Sequence, residues 1–445
     1  MARAAAVRER ARGGARDSTR DAAGRRSGFT RSRMASRRVA PPVEHRMLMT
    51  ATLCLLAFGA VMVYSASSPL GVLSSGGAGT GAGEFVRYLV FGAIGLVGMH
   101  VFSRHGLEIV TPRLVTALLL GSFGLLVLVL VPGFGVVVNG ARRWFSAGPI
   151  QFQPSELMKL ALVLYAARYL ADHPKRMRSF RAAVAPIAVV AGPACLLIVV
   201  EPDLGTTIVV ALTIAALLIA AGMPMRYVAA LAGIVALCVV LLATAQPYER
   251  ARLTSFLHPW ASATKSGPGY QAVQGQIALG SGGLFGVGLG RGVQKIFYLP
   301  EAQTDFILAV IGEELGVLGI LGVVCLYGMI AYAGLRTARR ATERYAKLLA
   351  TGLTSLILCQ GILNLFVVLG LAPLTGVPLP FISYAPTNLC VMLGSVGLLL
   401  NIARPGARLQ VVRNSRVDSA EDRDRRRRDR RARRAGAGGG RRAEG

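Results

Sequence analysis

"YLPEAQTDFILAVIGEELG" (Tyr298–Gly316) decides how this chain is read. Phe306 to Ile311 is almost wholly apolar and reads as the start of a membrane helix, with Pro300 and Thr304 marking where it begins. Yet Asp305 stands at its lip, and Glu313 and Glu314 follow. On a continuous helix those two acids lie about 12 Å deeper, at 1.5 Å per residue. A carboxylate facing lipid costs several kcal/mol, so acids in a span turn inward and find partners. The stretch therefore predicts a helix inside a bundle, with Glu313 and Glu314 paired to basic groups. Gly312 and Gly316 have the small-xxx-small spacing of close helix packing.

The rest of the chain agrees. Of 445 residues, 53% are hydrophobic and only 16% are charged, and the mean hydropathy is +0.52. Apolar blocks of membrane-crossing length recur at about 47–66, 85–103, 113–131, 154–171, 181–200, 204–222, 226–244, 305–335, 345–370 and 381–403. The expected fold is an all-α polytopic membrane protein. It has about ten transmembrane helices and a large extracytoplasmic loop (245–304) between helices 7 and 8. With the N-terminus inside, the inner loops "DHPKRMRSFR" (172–181) and "RTARRATERYAK" (336–347) are basic, so both termini are expected in the cytoplasm.

The net charge of +28 suggests nucleic acid until it is located. Residues 1–46 hold 13 Arg against 4 acids, and 404–445 hold 15 Arg against 6, so the tails supply 18 of the 28 charges. Tails of this composition (1–46 and 405–445, flanking a membrane domain at 47–404) are expected to be disordered and cytoplasmic, near acidic membrane lipids rather than nucleic acid. The first 46 residues lack an apolar h-region, so no cleaved signal peptide is expected. All six cysteines fall in apolar blocks, and their spacing indicates neither a disulfide framework nor a metal site.

The outer segments carry the chemistry. In "NGARRWFSAGPIQFQPSELMKL" (139–160), Arg142 and Arg143 lie outside, against the positive-inside bias, either snorkelling to headgroups or forming an anion site for phosphate. Trp144 beside them suits a membrane interface. Pro154 opens a helix on which Glu156 and Lys159, spaced i, i+3, share a face and can pair. In "EPDLGTT" (201–207), Asp203 reads as a helix-capping acid. The glycine-rich "GYQAVQGQIALGSGGLFGVGLGRGVQK" (269–295) lacks the Lys-Ser/Thr of a P-loop; it reads as a compact loop approaching a ligand or the membrane, with Arg291 and Lys295 adding positive charge. Asp305 is either a capping acid, with a lowered pKa, or a general base at the membrane–water boundary, with a pKa raised by desolvation.

These blocks, together with "NLFVVLGLAPLTGVPLPFISY" (364–384), resemble the SEDS family (shape, elongation, division and sporulation) over about 47–404. "KIFYLPEAQTDF" (295–306) is more similar to its division members than to its elongation members. The resemblance implies a peptidoglycan glycosyltransferase that polymerises lipid II at the outer face of the bacterial cytoplasmic membrane. It also implies partnership with a class B penicillin-binding protein and with divisome proteins at the septum. The family's essential acid falls on Asp305. Candidate substrate-binding residues are Arg142, Arg143, Trp144, Glu156, Lys159, Gln274, Arg291 and Lys295. No cofactor is evident, and a divalent cation is compatible with the chemistry. A lipid II flippase and a non-catalytic scaffold for the penicillin-binding protein are the alternatives. The chain departs from the family's usual Gly-Gly after "ISY": Ala385 and Pro386 remove backbone freedom, and Pro386 deletes an N–H.

Overall fold

The computed structural model describes residues 42–404, apart from 75–82, 139–140, 148–149, 246, 262–266, 268 and 297. The expected tails lie outside the described residues, save 42–46, which lead into the first helix. In chain order the helices are α1 (Val43–Ser74), α2 (Gly83–Ile109), α3 (Pro112–Leu130), α4 (Pro154–Asp172), α5 (Phe180–Val200), α6 (Leu204–Ala220), α7 (Met225–Ala245), α8 (Pro247–Leu257), α9 (Tyr270–Gly282), α10 (Ile307–Arg340), α11 (Arg344–Val368) and α12 (Pro386–Ala403). A 3₁₀ turn at Pro174–Arg178 joins α4 to α5. The chain is a polytopic helical membrane protein.

A helix stands at each of the ten predicted spans, and over the described residues seven of them are long and apolar enough to cross a membrane unaided. The other three are α4, α6 and α7. Helix α4 carries Glu156, Lys159, Arg168 and Asp172, and its first two charges are buried against α11 and α12 rather than exposed to lipid. Protein neighbours, not acyl chains, solvate this helix.

The outer segments are less helical than expected. Residues 136–152 form a three-stranded antiparallel sheet, with β1 (Val136–Val138), β2 (Ala141–Ala147) and β3 (Ile150–Phe152) in that order. Three consecutive valines favour a strand, and Asn139-Gly140 is a strong two-residue hairpin signal. A bulge between Val136 and Val137 sets Trp144 opposite Val136 and Arg142 opposite Val137. Side chains on a strand alternate in direction, so Arg142 and Arg143 face opposite ways. The predicted loop 67–84 is shortened too, because Leu70, Val72 and Leu73 continue the apolar run and α1 extends to Ser74.

Helix α10 is broken at Gly316, whose φ of 67° and ψ of −162° belong to a region that only glycine occupies readily. Before the break, Ile307–Leu315 packs on α9; a Cβ on Gly312 would meet Leu279 Cδ2 at 2.4 Å. After it, Val317–Arg340 is about 36 Å long, enough to span the bilayer alone. At its C-terminal end Arg336 and Arg340 bind Glu44 of α1 at 2.8 and 2.6 Å. Just before the break, Glu314 meets Ser65 of α1 at 2.8 Å. Glu44 and Ser65 are about 30 Å apart along α1, the thickness of the hydrocarbon core. Glu314 is thus held to α1 at the opposite end from the Glu44 cluster. Gly316 serves the break rather than the expected helix packing, since its pro-Cβ position lies 2.5 Å from the Gly286 amide nitrogen and the Leu284 carbonyl. Gly316→Ala is expected to destabilise the protein by about 3 kcal/mol or more, read as a fall in thermal unfolding temperature.

The last span begins at Pro386 rather than at 381. Residue 385 is biased out of helical geometry by the proline that follows, and Pro386 takes the first helical position, where its missing N–H is harmless. Residues 371–385 therefore form an irregular strap inside the bundle. Its carbonyls are taken by side chains: Pro378 by Gln360 (2.9 Å), Pro380 by Tyr327 (2.5 Å) and Phe381 by Tyr88 (2.5 Å). Non-helical backbone is tolerated at such depth only where protein satisfies it in this way.

Candidate active site

Asp305 lies on the turn before α10 and is half-buried. The turn is tied down on several sides. Phe306 N–H donates to Glu301 O (3.3 Å), Tyr384 N–H donates to Gln303 O (2.9 Å), and the Asn364 amide donates to Asp305 O (2.8 Å). Phe306 itself is buried against Gly275 of α9, where a Cβ would come within 2.6 Å of its ring.

Across the strap stands Arg143. Its Nε donates to Glu201 O (2.8 Å) and one Nη donates to Pro202 O, which fixes the guanidinium plane. Gly376 separates it from Asp305: a Cβ there would lie 3.3 Å from Asp305 Oδ2 and 4.0 Å from Arg143 Nη1. The φ of Gly376 is +69°, so an ordinary side chain would be strained there as well as obstructive. Arg252 of α8 closes another side, with its Nη1 donating to Leu374 O of the strap (3.4 Å).

Burial pushes the Asp305 carboxyl up to about 7; neighbouring Glu301 adds to the rise, Arg252 and Arg143 oppose it, and Asp203 adds a little. Desolvation therefore outweighs any lowering by the helix N-terminus. Glu201 has no exposed surface, and both its carboxyl oxygens lack a hydrogen-bond partner among the described residues. Burial, then Asp203, raises its pKa to about 9 against the pull of Arg143, so it is neutral at pH 7. Asp203 caps α6 as the sequence suggested, accepting from Thr206 N–H (3.0 Å), from the Thr206 hydroxyl (2.9 Å) and from Gln153 (3.1 Å).

The other candidates fall in different places. Arg142 points away from Asp305 and donates to Leu130 O at the end of α3 (3.3 Å), as strand alternation requires. Trp144 is half-buried across from Val136. Glu156 and Lys159 pair at 2.9 Å, with Asn388 on the carboxylate (2.7 Å) and Gln360 on the ammonium (2.8 Å). Both are buried, and through Gln360 they anchor the strap. Lys295 is buried too, 2.6 Å from Glu314 and 2.8 Å from Ser65. That pairing places it inside the bundle, with Glu314 and Ser65 as its partners. Glu313 finds backbone rather than the expected basic group: it accepts from Val293 N–H (2.8 Å) and Gln294 N–H (3.1 Å). The glycine-rich loop thus wraps two carboxylates of its own chain. Arg291 is exposed on that loop, and Gln274 is half-buried on α9. Among the described residues no group of three or more His, Cys, Asp or Glu is arranged to hold a metal ion.

Arg252, Glu301, Asn364 and Gly376 were not anticipated. One signal was readable: "YERARLTSF" (248–256) carries two arginines on the outer side, the same departure from positive-inside that marked Arg143.

Residues 45–407 match the Cell cycle protein family that groups FtsW, RodA and SpoVE. The chain is 39% identical over 373 residues to stage V sporulation protein E of Bacillus subtilis, a match covering 83% of this chain and 99% of that one. It is 38% identical over 358 residues to the probable peptidoglycan glycosyltransferase FtsW of a Geobacter species, covering 80% and 95%. A chain solved in work on the coordination of polymerization and crosslinking by a peptidoglycan synthase complex superposes with a TM-score of 0.65 at 28% identity, over 82% of this chain and 98% of that one. The rod shape determining protein RodA of Thermus thermophilus superposes at 0.58 with 27% identity, over 82% and 97%. With the match spanning the whole helical bundle and its strap, the chain belongs to the FtsW, RodA and SpoVE family of cell cycle proteins.

Proposed function

We propose that this protein is a peptidoglycan glycosyltransferase that polymerises lipid II at the outer face of the cytoplasmic membrane. The observation that carries the reading is one half-buried carboxyl, Asp305, with its pKa at about 7, standing at the outer end of the bundle between two arginines. A base works best when its pKa is near the working pH. Asp305 takes the proton of the acceptor's GlcNAc 4-hydroxyl as that oxygen bonds to C1 of the donor's MurNAc. The C1–O bond to the diphosphate breaks on the opposite side, with inversion. Undecaprenyl diphosphate leaves as an anion that needs positive charge and no proton, so one carboxylate suffices where a glycosidase uses two. Arg143 and Arg252 supply that charge.

The basic inner loops support cytoplasmic termini. Glu44, Arg336 and Arg340 cluster at that end, opposite to Asp305. Likeness to relatives named FtsW supports a septal role, and likeness to a chain from a synthase complex supports a class B penicillin-binding protein as partner. The test is a gel assay for glycan strands from purified protein and lipid II, with and without that partner and with and without a divalent cation. Strands are expected. Their absence in the presence of a bound partner overturns the reading in favour of a flippase or a scaffold.

A further inference from the structure

Asn364 lies on α11 one turn beyond Gln360 and is 1% exposed. Its Nδ2 donates twice, to the carbonyl of Asp305 and to the carbonyl of Val377, each at 2.8 Å. Those carbonyls belong to two separate parts of the chain, the turn before α10 and the strap. The amide's remaining polar atom, Oδ1, is buried and has no hydrogen-bond partner among the described residues. A role in packing alone does not account for this, because leucine would fill a similar volume without burying an unpaired side-chain oxygen. Flipping the amide would lose both donated bonds, so its orientation is fixed by what it holds.

What it holds is the spacing of the site. Val377 follows Gly376, the residue across which Asp305 faces Arg143. The strap has no helical ladder of its own, and its next side-chain anchors are at Pro378 and Pro380. One side chain therefore fixes both the main chain of the carboxylate and the wall opposite it.

We infer that Asn364 is a positioning residue that clips the strap to the Asp305 turn and sets the Asp305–Gly376–Arg143 gap that receives the reacting groups. This rests on the polymerase reading only for the identity of the reaction. A misplacement of about 1 Å in a catalytic site can lower turnover about 100-fold. In the purified full chain, Asn364→Leu is expected to lower kcat about 100-fold, with KM for lipid II within about threefold of wild type. Asn364→Asp keeps the volume and shape but replaces the Nδ2 donor with one oxygen facing both carbonyls, and the same loss is expected from it should Asn364→Leu fail to fold.

A second readout needs no activity. Carbodiimide labelling of Asp305, followed by mass spectrometry across pH, reports the protonated carboxyl. Glu301, Asp203, Arg143 and Arg252 face that carboxyl and are unchanged in the variants. Wild type should label half-maximally near pH 7, and a variant that releases the turn toward water should shift the midpoint down by about one unit or more. An unchanged midpoint in both variants, or a kcat within threefold of wild type, overturns the inference. If wild type makes no strands even with a bound partner, the polymerase reading fails, and the labelling arm still decides the role of Asn364.

Discussion

Asp305→Asn should abolish strand formation, with a loss of about 1,000-fold or more if the carboxylate is the base, at the upper part of the range for general base catalysis. Asparagine keeps the size of the side chain and removes only the ability to take a proton. The pH profile sharpens the test. With a pKa of about 7, wild-type turnover should rise about tenfold per pH unit below 7 and level off above it, while residual activity of the variant should be flat there. Stability should move the other way. A carboxyl whose folded pKa is raised binds its proton more tightly in the folded state. Its contribution is fully present below the unfolded pKa of about 3.8 and is lost as pH rises through about 7. At pH 8 the wild type bears the whole cost of a buried charge and Asp305→Asn bears none, so the inactive variant should melt higher. A variant equally inactive but less stable at pH 8 would point to damage rather than to lost chemistry.

Lys295→Met is expected to cost about 3–5 kcal/mol, the usual penalty for leaving one member of a buried ion pair uncompensated. Lys295 and Glu314 are each almost wholly buried and lie 2.6 Å apart, and Ser65 bridges them to α1. Lys295→Met combined with Glu314→Leu removes both charges and should recover most of the loss in thermal unfolding. The pair of variants also separates two roles for the lysine. If Lys295 only holds the glycine-rich loop against α10, polymerisation should return in the double variant along with stability. If it steadies the diphosphate, the double variant should be stable and inactive.

The sequence made the helical bundle legible because lipid imposes one rule throughout: a long apolar run that satisfies its own backbone. It was less informative at the outer face. Positive-inside reasoning marked Arg142 and Arg143 alike, and only the alternation of a strand separates the one that faces Asp305 across Gly376 from the one that reaches Leu130. The Glu156–Lys159 pair was readable because i, i+3 spacing is local. Partners of Lys295, Glu313 and Asn364 were not, since each is set by tertiary packing across separate segments. The break at Gly316 was hidden for a related reason: a glycine spaced four from another reads as packing until its φ is known.

The strap also gives this protein an order of assembly. Asp305 leaves the ribosome well before Asn364 and Gly376 exist, and a ribosome adds about 5–20 residues per second, so the carboxylate waits several seconds for its setting. Arg143 has by then long been synthesised. Synthesis of the strap, which supplies Gly376 and Val377, is thus what draws the parts together. Chains that stall or are clipped before residue 371 would carry Asp305, Asn364 and Arg143 with no strap to set the gap between them. A nascent chain of this design lacks its gap until the strap is made.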